Sequence, residues 1–275
     1  MTIFEKTTAL KKQSDDVFAN RLCAKKIGVT FQKNAILHQL NIDIPDRKVS
    51  IIIGPNACGK STLLRSLARL QSLSSGQVLL DGKNIRQHKT RAVAQQLAIL
   101  PQISVAPEGI RVVDLVSRGR TPYQSALSQW SQEDTDKVTY ALEVTGMSEF
   151  AERPLESLSG GQRQRAWIAM SLAQDTDLLL LDEPTTFLDL PHQIEVLQLS
   201  AKLNREQQRT IVMVLHDINL AARYGDHLIA MKDGAIYAQG SPDEVINQRT
   251  IKQIFGLDCH IIRDPSYGTP HVIPF

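Results

Sequence analysis

The sequence has few cysteines and no long apolar run, and both absences limit what kind of protein it can be. Only Cys23, Cys58 and Cys259 occur in 275 residues, and an odd number of widely spaced cysteines does not make a disulfide framework. We therefore expect a reducing, cytoplasmic compartment. The strongest apolar runs, 178–181 and 211–215, are far shorter than the roughly 20 residues of a membrane-spanning helix.

The sequence also lacks a large excess of charge of either sign. Lys and Arg number 31 against 29 Asp and Glu, so the formal net charge is +2. Binding to nucleic acid without base recognition needs a dense positive surface, and we therefore expect no nucleic-acid partner. A hydrophobic fraction of 42% and a charged fraction of 22% are ordinary for a globular protein.

The first residues of the chain carry no secretory signal. Lys6, Lys11 and Lys12 are not followed by an apolar stretch, whereas a signal peptide needs one after its positive residues. We interpret residues 1–20 as a flexible leader.

Strand and helix patterns alternate along the chain after this leader. A β-branched run at 49–53 predicts a buried strand, and the apolar spacing over 60–70 predicts a helix directly after it. The runs at 178–181 and 210–215 predict two further buried strands with a helix between them. Such alternation favours an α/β fold with a parallel core sheet.

Other stretches of the sequence depart from this alternation. From about residue 103 to residue 174 the strand signals fade and helical spacing dominates, which predicts a helical insertion. Two segments, 74–85 and 228–238, read as hairpins around Asp-Gly turns.

A glycine-rich loop lies between the first buried strand and its helix. The run GPNACGKST fits the phosphate-loop pattern G-x-x-x-x-G-K-[ST], with Gly54, Gly59, Lys60 and Ser61 at the fixed places. The glycines let backbone N–H groups converge on phosphate oxygens, and the helix that follows adds its positive end. Lys60 is expected to reach the β- and γ-phosphates, and the Ser61 hydroxyl to bind Mg²⁺. The loop therefore predicts a phosphate-binding site with Mg²⁺ as a cofactor.

Three other residues of the loop also bear on the nucleotide. Asn56 and Thr62 lie within or at the end of the run and are predicted to contact it. Cys58 lies there too, and we hypothesise that a thiol reagent attached to it blocks nucleotide binding sterically.

A second candidate site follows the buried strand at 178–181. The run LLLLDEP ends in Asp182 and Glu183, which places both acids at the carboxyl edge of a parallel sheet, where ligands bind. Asp182 is expected to hold Mg²⁺ directly or through water. Glu183 is expected to act as the general base on the attacking water.

Between these two motifs the sequence reads LSGGQRQR, at residues 158–165. Neither phosphate binding nor an α/β fold requires this run, and it resembles the signature of the ATP-binding cassette (ABC) family. The resemblance extends from about residue 21 to residue 240. It implies a P-loop NTPase core with a parallel sheet, an antiparallel β subdomain and an inserted α-helical subdomain over 21–245, with a C-terminal extension at 246–275.

The resemblance also implies roles for residues outside the two motifs. Gln102 matches the glutamine that contacts Mg²⁺ and links the core to the helical subdomain. Asp189 matches the acid of the loop that crosses the dimer interface, and His216 matches the switch histidine near the γ-phosphate. Phe31 is the aromatic residue nearest the expected adenine-stacking position.

The signature itself is expected to act on a second subunit. In the family its residues touch the γ-phosphate held by the opposite cassette, and they correspond here to Ser159, Gly160, Gly161 and Gln162. One set of motifs in one chain therefore implies a homodimer that closes on ATP.

Two segments are similar to cassettes of iron–siderophore importers: 119–123 (GRTPY) and 182–189 (DEPTTFLD), the latter followed by His192-Gln193. The tail 259–265, with 268–270, is similar to ferric enterobactin importers in particular. This implies import of an iron–siderophore complex, of catecholate type, through separate membrane permease subunits. A periplasmic or surface binding protein takes part indirectly, and the chain is expected on the cytoplasmic face of the membrane.

Three alternatives remain open from the residues alone. An importer of cobalamin or haem shares much of the pattern. A soluble ABC ATPase of translation or DNA repair shares the motifs, although such proteins tend to carry paired cassettes, coiled-coil insertions or basic arms. A small-molecule kinase shares the phosphate loop but has no use for the signature.

Overall fold

The computed structural model describes residues 20–102, 104–125, 130–186 and 188–275. The predicted flexible leader, 1–20, lies outside these residues except for Asn20.

The strands and helices of the described residues follow in chain order. The strands are β1 (Leu22–Phe31), β2 (Asn34–Ile44), β3 (Val49–Ile53), β4 (Ser75–Leu80), β5 (Lys83–Asn84), β6 (Leu97–Leu100), β7 (Leu178–Leu181), β8 (Thr210–Val214), β9 (His227–Lys232), β10 (Ala235–Gly240), β11 (Cys259–Arg263) and β12 (Pro270–Pro274). The α-helices are α1 (Lys60–Leu67), α2 (Thr90–Ala94), α3 (Val112–Ser117), α4 (Gln132–Val144), α5 (Gly160–Ala173), α6 (Leu190–Gln207), α7 (Ile218–Tyr224), α8 (Pro242–Val245) and α9 (Gln248–Phe255). Short 3-10 turns lie at Ile85–Gln87, Arg118–Tyr123, Ser148–Phe150 and Leu155–Ser157.

The core is a six-stranded sheet in the order β10-β9-β3-β8-β7-β6. Strands β3 and β6 to β9 are parallel, and β10 returns antiparallel to β9. Every residue of β3, β7 and β8 is buried, as expected for parallel strands covered on both faces. The predicted parallel α/β fold is confirmed.

A second sheet, antiparallel in the order β2-β1-β4-β5, lies over one face of the core. Helix α1 fills the space between the two sheets, because Leu63, Leu64 and Leu67 share a buried cluster with Ile52 of the core and Leu22 of the outer sheet. The two predicted Asp-Gly hairpin turns are present between β4 and β5 and between β9 and β10. In the first turn Asp81 and Gly82 both have positive φ, 49° and 73°, as a type I′ turn requires.

Helices α3, α4 and α5 pack on one another where the sequence predicts a helical insertion. Their interior contains a buried ion pair. The Arg120 Nε donates to Asp134 Oδ1 at 2.8 Å, and its Nη1 donates to the Ala173 carbonyl at 3.0 Å. The Arg120 guanidinium also lies 3.9 Å from the ring centroid of Tyr123.

The C-terminal stretch folds into α9 and a two-stranded hairpin, β11–β12, which packs on α7. The side-chain amide of Asn219 on α7 pairs with the backbone of the hairpin, as a neighbouring strand would. It accepts a hydrogen bond from Val272 N at 2.7 Å and donates to Val272 O at 3.2 Å. Among the described residues, no helix is both long and apolar enough to cross a membrane.

Candidate nucleotide-binding site

The glycine-rich loop leaves β3 and enters α1 through two backbone positions that require glycine. Gly54 has φ 153°, and a Cβ there would lie 2.4 Å from the Met231 carbonyl oxygen. Gly59 caps α1 with φ 100°, and a Cβ there would lie 2.8 Å from Leu37 Cδ2. Both positions combine positive φ with close approach, which only glycine tolerates without strain.

Lys60, the first residue of α1, is buried within the loop that precedes it. Its Nζ donates to the carbonyls of Gly54 at 2.9 Å and Pro55 at 2.8 Å. The ammonium group is therefore held over the loop, directly before the N-terminus of a helix.

A cleft of about 680 Å³ opens over this loop. Nine residues singled out in the sequence line it together: Phe31, Asn56, Gly59, Lys60, Ser61, Thr62, Gln102, Glu183 and His216. Ile36 and Ala57 complete the lining. Phe31 is half exposed, with 47% of its surface accessible, so its ring is available to a ligand.

The side chains meet because their strands end at the same edge. Gly54 follows β3, His216 follows β8, Asp182 follows β7 and Gln102 follows β6, and these four strands are parallel neighbours in that order. The carboxyl ends of neighbouring parallel strands bring their following loops together.

The carboxylate of Glu183 has side-chain partners at both oxygens. Gln102 Nε2 donates to Oε2 at 2.6 Å and Thr186 Oγ1 donates to the same oxygen at 3.0 Å. His216 Nε2 lies 2.9 Å from Oε1. The backbone of Glu183 has φ 53°, a left-handed conformation that is unfavourable for a residue with a Cβ.

Asp182, next to Glu183, is fully buried, and its surroundings fit a hard cation. Neither carboxylate oxygen has a hydrogen-bond partner among the described residues, and Arg65 Nη2 lies 3.3 Å from Oδ2. Burial raises the pKa of Asp182, and the nearby Ser61 hydroxyl and Arg65 guanidinium act against that rise. Buried oxygens without donors, beside a serine hydroxyl, are the ligands that Mg²⁺ prefers.

Seven of the predicted residues are not among those that line this cleft: Gly54, Asp182, Ser159, Gly160, Gly161, Gln162 and Asp189. Gly54 and Asp182 still adjoin it, because Lys60 Nζ donates to the Gly54 carbonyl and Asp182 directly precedes Glu183. Ser159 caps α5 by a reciprocal box, in which Gln162 N donates to Ser159 Oγ at 3.2 Å and Ser159 N donates to Gln162 Oε1 at 3.0 Å. Asp189 precedes α6, and its carboxylate hydrogen-bonds to His192 Nδ1. This bond lowers the pKa of Asp189.

Sequence reasoning missed two residues that the structure joins to the two acids. Arg65 stands four residues after Ser61, hence on the same face of α1, and this spacing was the available signal. Thr186 stands three residues after Glu183 in the same turn, and no sequence pattern distinguished it from Thr185.

Cys58 belongs to the loop but not to the lining of the cleft. Its side chain is buried in the cluster shared by α1 and the antiparallel sheet. Burial raises the pKa of its thiol. The Cys58 thiol is therefore shielded in the folded chain and does not face the nucleotide cleft.

A glycine-bent loop that opens a helix, with acids at the end of another parallel strand of the same sheet, defines the class of P-loop nucleotide-binding proteins. The comparison with known families narrows this class, because residues 37–186 match the ABC transporter family. The chain belongs to the ABC transporter family.

Individual relatives resemble the chain over nearly its whole length. The petrobactin import ATP-binding protein FpuD of Bacillus anthracis is 55% identical over 91% of this chain and 92% of its own. The ferric enterobactin transport ATP-binding protein FepC of Escherichia coli K12 is 48% identical over 92% of this chain and 94% of its own. The solved dimeric structure of MJ0796, a bacterial ABC transporter cassette, superposes with a TM-score of 0.71 at 27% identity, over 80% of this chain and 98% of that one.

Proposed function

We propose that the chain is the ATP-hydrolysing subunit of an ABC importer that drives uptake of an iron–siderophore complex through a separate membrane permease. The observation that carries the ATPase part is the carboxylate of Glu183, held by three side chains at the mouth of the phosphate loop. A positioned carboxylate beside a phosphate site is suited to activate water.

Different residues bind the adenine, the phosphates and the metal ion. Phe31 stacks on the adenine, and the N–H groups of the loop from Gly54 to Thr62 take the phosphates. Lys60 moves from its two carbonyl acceptors onto the β- and γ-phosphates. Ser61, Asp182 and Gln102 would hold Mg²⁺, which would neutralise charge on those phosphates.

The chemical step belongs to Glu183 and His216. Glu183 accepts the proton of the attacking water, in line with the γ-phosphate. His216, whose Nε2 lies 2.9 Å from Glu183 Oε1, orients that carboxylate and reaches the γ-phosphate from the neighbouring strand end.

Hydrolysis requires a second copy of the chain. Ser159 to Gln162 lie outside the cleft of their own chain, and the relative MJ0796 is a dimeric cassette. We therefore propose a homodimer in which the start of α5 caps the γ-phosphate of the partner, with Asp189 at the interface. The positive end of a helix suits that phosphate.

The transport assignment rests on the relatives. FpuD and FepC are named for petrobactin import and ferric enterobactin transport, so their similarity supports a siderophore without choosing the chelate. A catecholate remains our prediction. The chain acts on the cytoplasmic face of the membrane, docked on permease subunits and served indirectly by a siderophore-binding protein.

ATP hydrolysis is tested on the purified protein, and iron uptake is tested in cells. Purified Glu183→Gln is expected to hydrolyse ATP about 10²- to 10⁴-fold more slowly than wild type, because the general base is lost. Cells lacking the chain are expected to lose uptake of radioactive iron from catecholate and not from hydroxamate chelates, with rescue by wild type only. Intact iron uptake with lost uptake of cobalamin or haem would overturn the substrate.

A further inference from the structure

Gly161, the second residue of α5, has no backbone reason to be glycine. Its φ is not positive, and alanine favours a helix over glycine at such a position. What excludes a side chain is a neighbour. A Cβ at Gly161 would lie 2.9 Å from both Cγ and Cδ2 of His192, on a different helix.

The ring of His192 therefore lies directly on the backbone of α5 at its first turn. His192 is the third residue of α6. One turn further along, the two helices are joined again, by Arg165 Nη1 donating to Glu195 Oε2 at 3.0 Å. The start of α5 and the start of α6 thus touch along one seam.

Asp189 is hydrogen-bonded to the same imidazole, at Nδ1. An aspartate before a helix ordinarily accepts hydrogen bonds from the first free N–H groups of that helix. The Asp189 side chain makes no such cap and is bonded to His192 Nδ1 instead. Since an ionised carboxylate only accepts hydrogen bonds, Nδ1 is the donor.

We propose that His192 is a positioning residue that joins Asp189 to the first turn of α5, so that the two surfaces offered to the partner's nucleotide move as one unit. This inference rests on the proposed function, in which both surfaces face a second copy of the chain. Without the imidazole, the Asp189 carboxylate is free to turn back and cap α6, and α5 loses the ring that covers Gly161.

The closing of the dimer tests the proposal, in chains that carry Glu183→Gln so that ATP is not consumed. Adding His192→Ala is expected to raise the dimer dissociation constant in ATP about tenfold, the effect of one lost hydrogen bond to a charged group. ATP affinity of the dilute single chain is expected to stay unchanged, because neither His192 nor Asp189 lines the cleft.

Two further variants distinguish a positioning role of His192 from a non-specific loss of structure. His192→Asn places an amide nitrogen near the position of Nδ1 and is expected to recover part of the lost dimer affinity. His260→Ala removes an exposed imidazole from the C-terminal hairpin and is expected to match the parent. If His192→Ala closes as tightly as the parent, the inference is wrong. If the Glu183→Gln parent itself stays monomeric in ATP, the proposed dimer fails first and takes this inference with it.

The contact itself is tested on the single chain, without nucleotide. Gly161→Ala is expected to lower the urea midpoint of unfolding when His192 is present and to leave it unchanged or raise it when His192 is alanine. Equal effects in both backgrounds would show that the ring does not restrict Gly161 and would overturn the proposal independently of the proposed function.

Discussion

Glu183 combines an unfavourable backbone with an unusually complete set of side-chain partners. A left-handed φ costs on the order of 1–3 kcal/mol for a residue that is not glycine, and Glu183 adopts one at 53°. The hydrogen bonds from Gln102 and Thr186, together with the close contact to His216, offset that cost and orient the carboxylate. Each of these partners is therefore a point at which the orientation of Glu183 can be changed.

Thr186 offers the mildest such change. Thr186→Val keeps the shape of the side chain but removes the hydroxyl that donates to Glu183 Oε2 at 3.0 Å. We expect kcat for ATP hydrolysis to fall roughly three- to tenfold, with KM for ATP unchanged, because one hydrogen bond that orients the Glu183 carboxylate is lost. Steady-state phosphate release measures both constants.

Thr185→Val is the matched control for this change. The Thr185 hydroxyl makes no hydrogen bond among the described residues, so its loss is expected to leave kcat unchanged. Equal losses in the two variants would contradict a specific role for Thr186.

Cys58 is expected to react slowly in the folded chain. Its thiol is buried and burial raises its pKa, whereas alkylation requires an exposed thiolate. Labelling with iodoacetamide followed by mass spectrometry is expected to modify Cys58 only after unfolding in urea, equally with and without ATP. Rapid native labelling that ATP prevents would instead support the steric block that the sequence suggests.

The helical segment α3–α5 depends on one buried charge pair. Arg120 is 2% exposed and its only carboxylate partner among the described residues is Asp134. Arg120→Met leaves that carboxylate buried without its cation, and we expect a loss of about 3–5 kcal/mol in the free energy of unfolding. Urea titration followed by circular dichroism measures it.

Arg111→Met is the control, because it also removes an arginine from ion pairs with carboxylates. Arg111 pairs with Asp114 and Glu152 while half exposed, and exposed pairs contribute little. A destabilisation of the same size in both variants would show that burial is not the cause.

Some elements of the fold were open to sequence analysis and others were not. Sequence analysis predicts the buried runs at β3, β7 and β8 and the two Asp-Gly hairpins, because an apolar run or a turn pair marks each of them locally. Strand β6 was not predicted, because it lies at the sheet edge directly before Pro101. The hairpin β11–β12 was not, because its support is Asn219, about fifty residues away on α7.

The same distinction holds for the site. The loop and the acid pair are contiguous motifs, so sequence reasoning reached Lys60, Asp182 and Glu183. The spacing from Ser61 places Arg65 on the right face of α1 but does not name Asp182 as its partner. The role of His192 depends on the glycine that lies against it on another helix, and only packing in three dimensions determines that.

The stability of the whole molecule is expected to fall as the pH drops below about 6.5, the ordinary pKa of histidine. Burial lowers the pKa of His227, and the Glu244 carboxylate opposes this only partly. The unfolded chain therefore binds more protons than the folded one in this range, and stability declines as the solution is acidified.

Urea midpoints at pH 7.5 and pH 5.5 measure this decline. Replacing the imidazole, in His227→Gln, is expected to flatten it, whereas His260→Ala is expected to keep it. The Asp134 carboxylate does not contribute in this window. Burial acts to raise its pKa, but bonds from Arg120 and Ser131 outweigh this and lower the value, so its stabilisation is lost only in stronger acid. An unchanged slope in His227→Gln would assign the effect elsewhere.

The partners of Glu183 come from three different strand ends, after β6, β7 and β8. The orientation of the carboxylate therefore depends on three separate strand ends, and the loss of one partner is expected to weaken it in part, as for Thr186→Val. Gln102 is also the point at which the chain leaves the core sheet for the helical segment, because it lies between β6 and α3. A displacement of that segment is thus expected to reach the proposed general base through Gln102, as a change in the direction of its carboxylate.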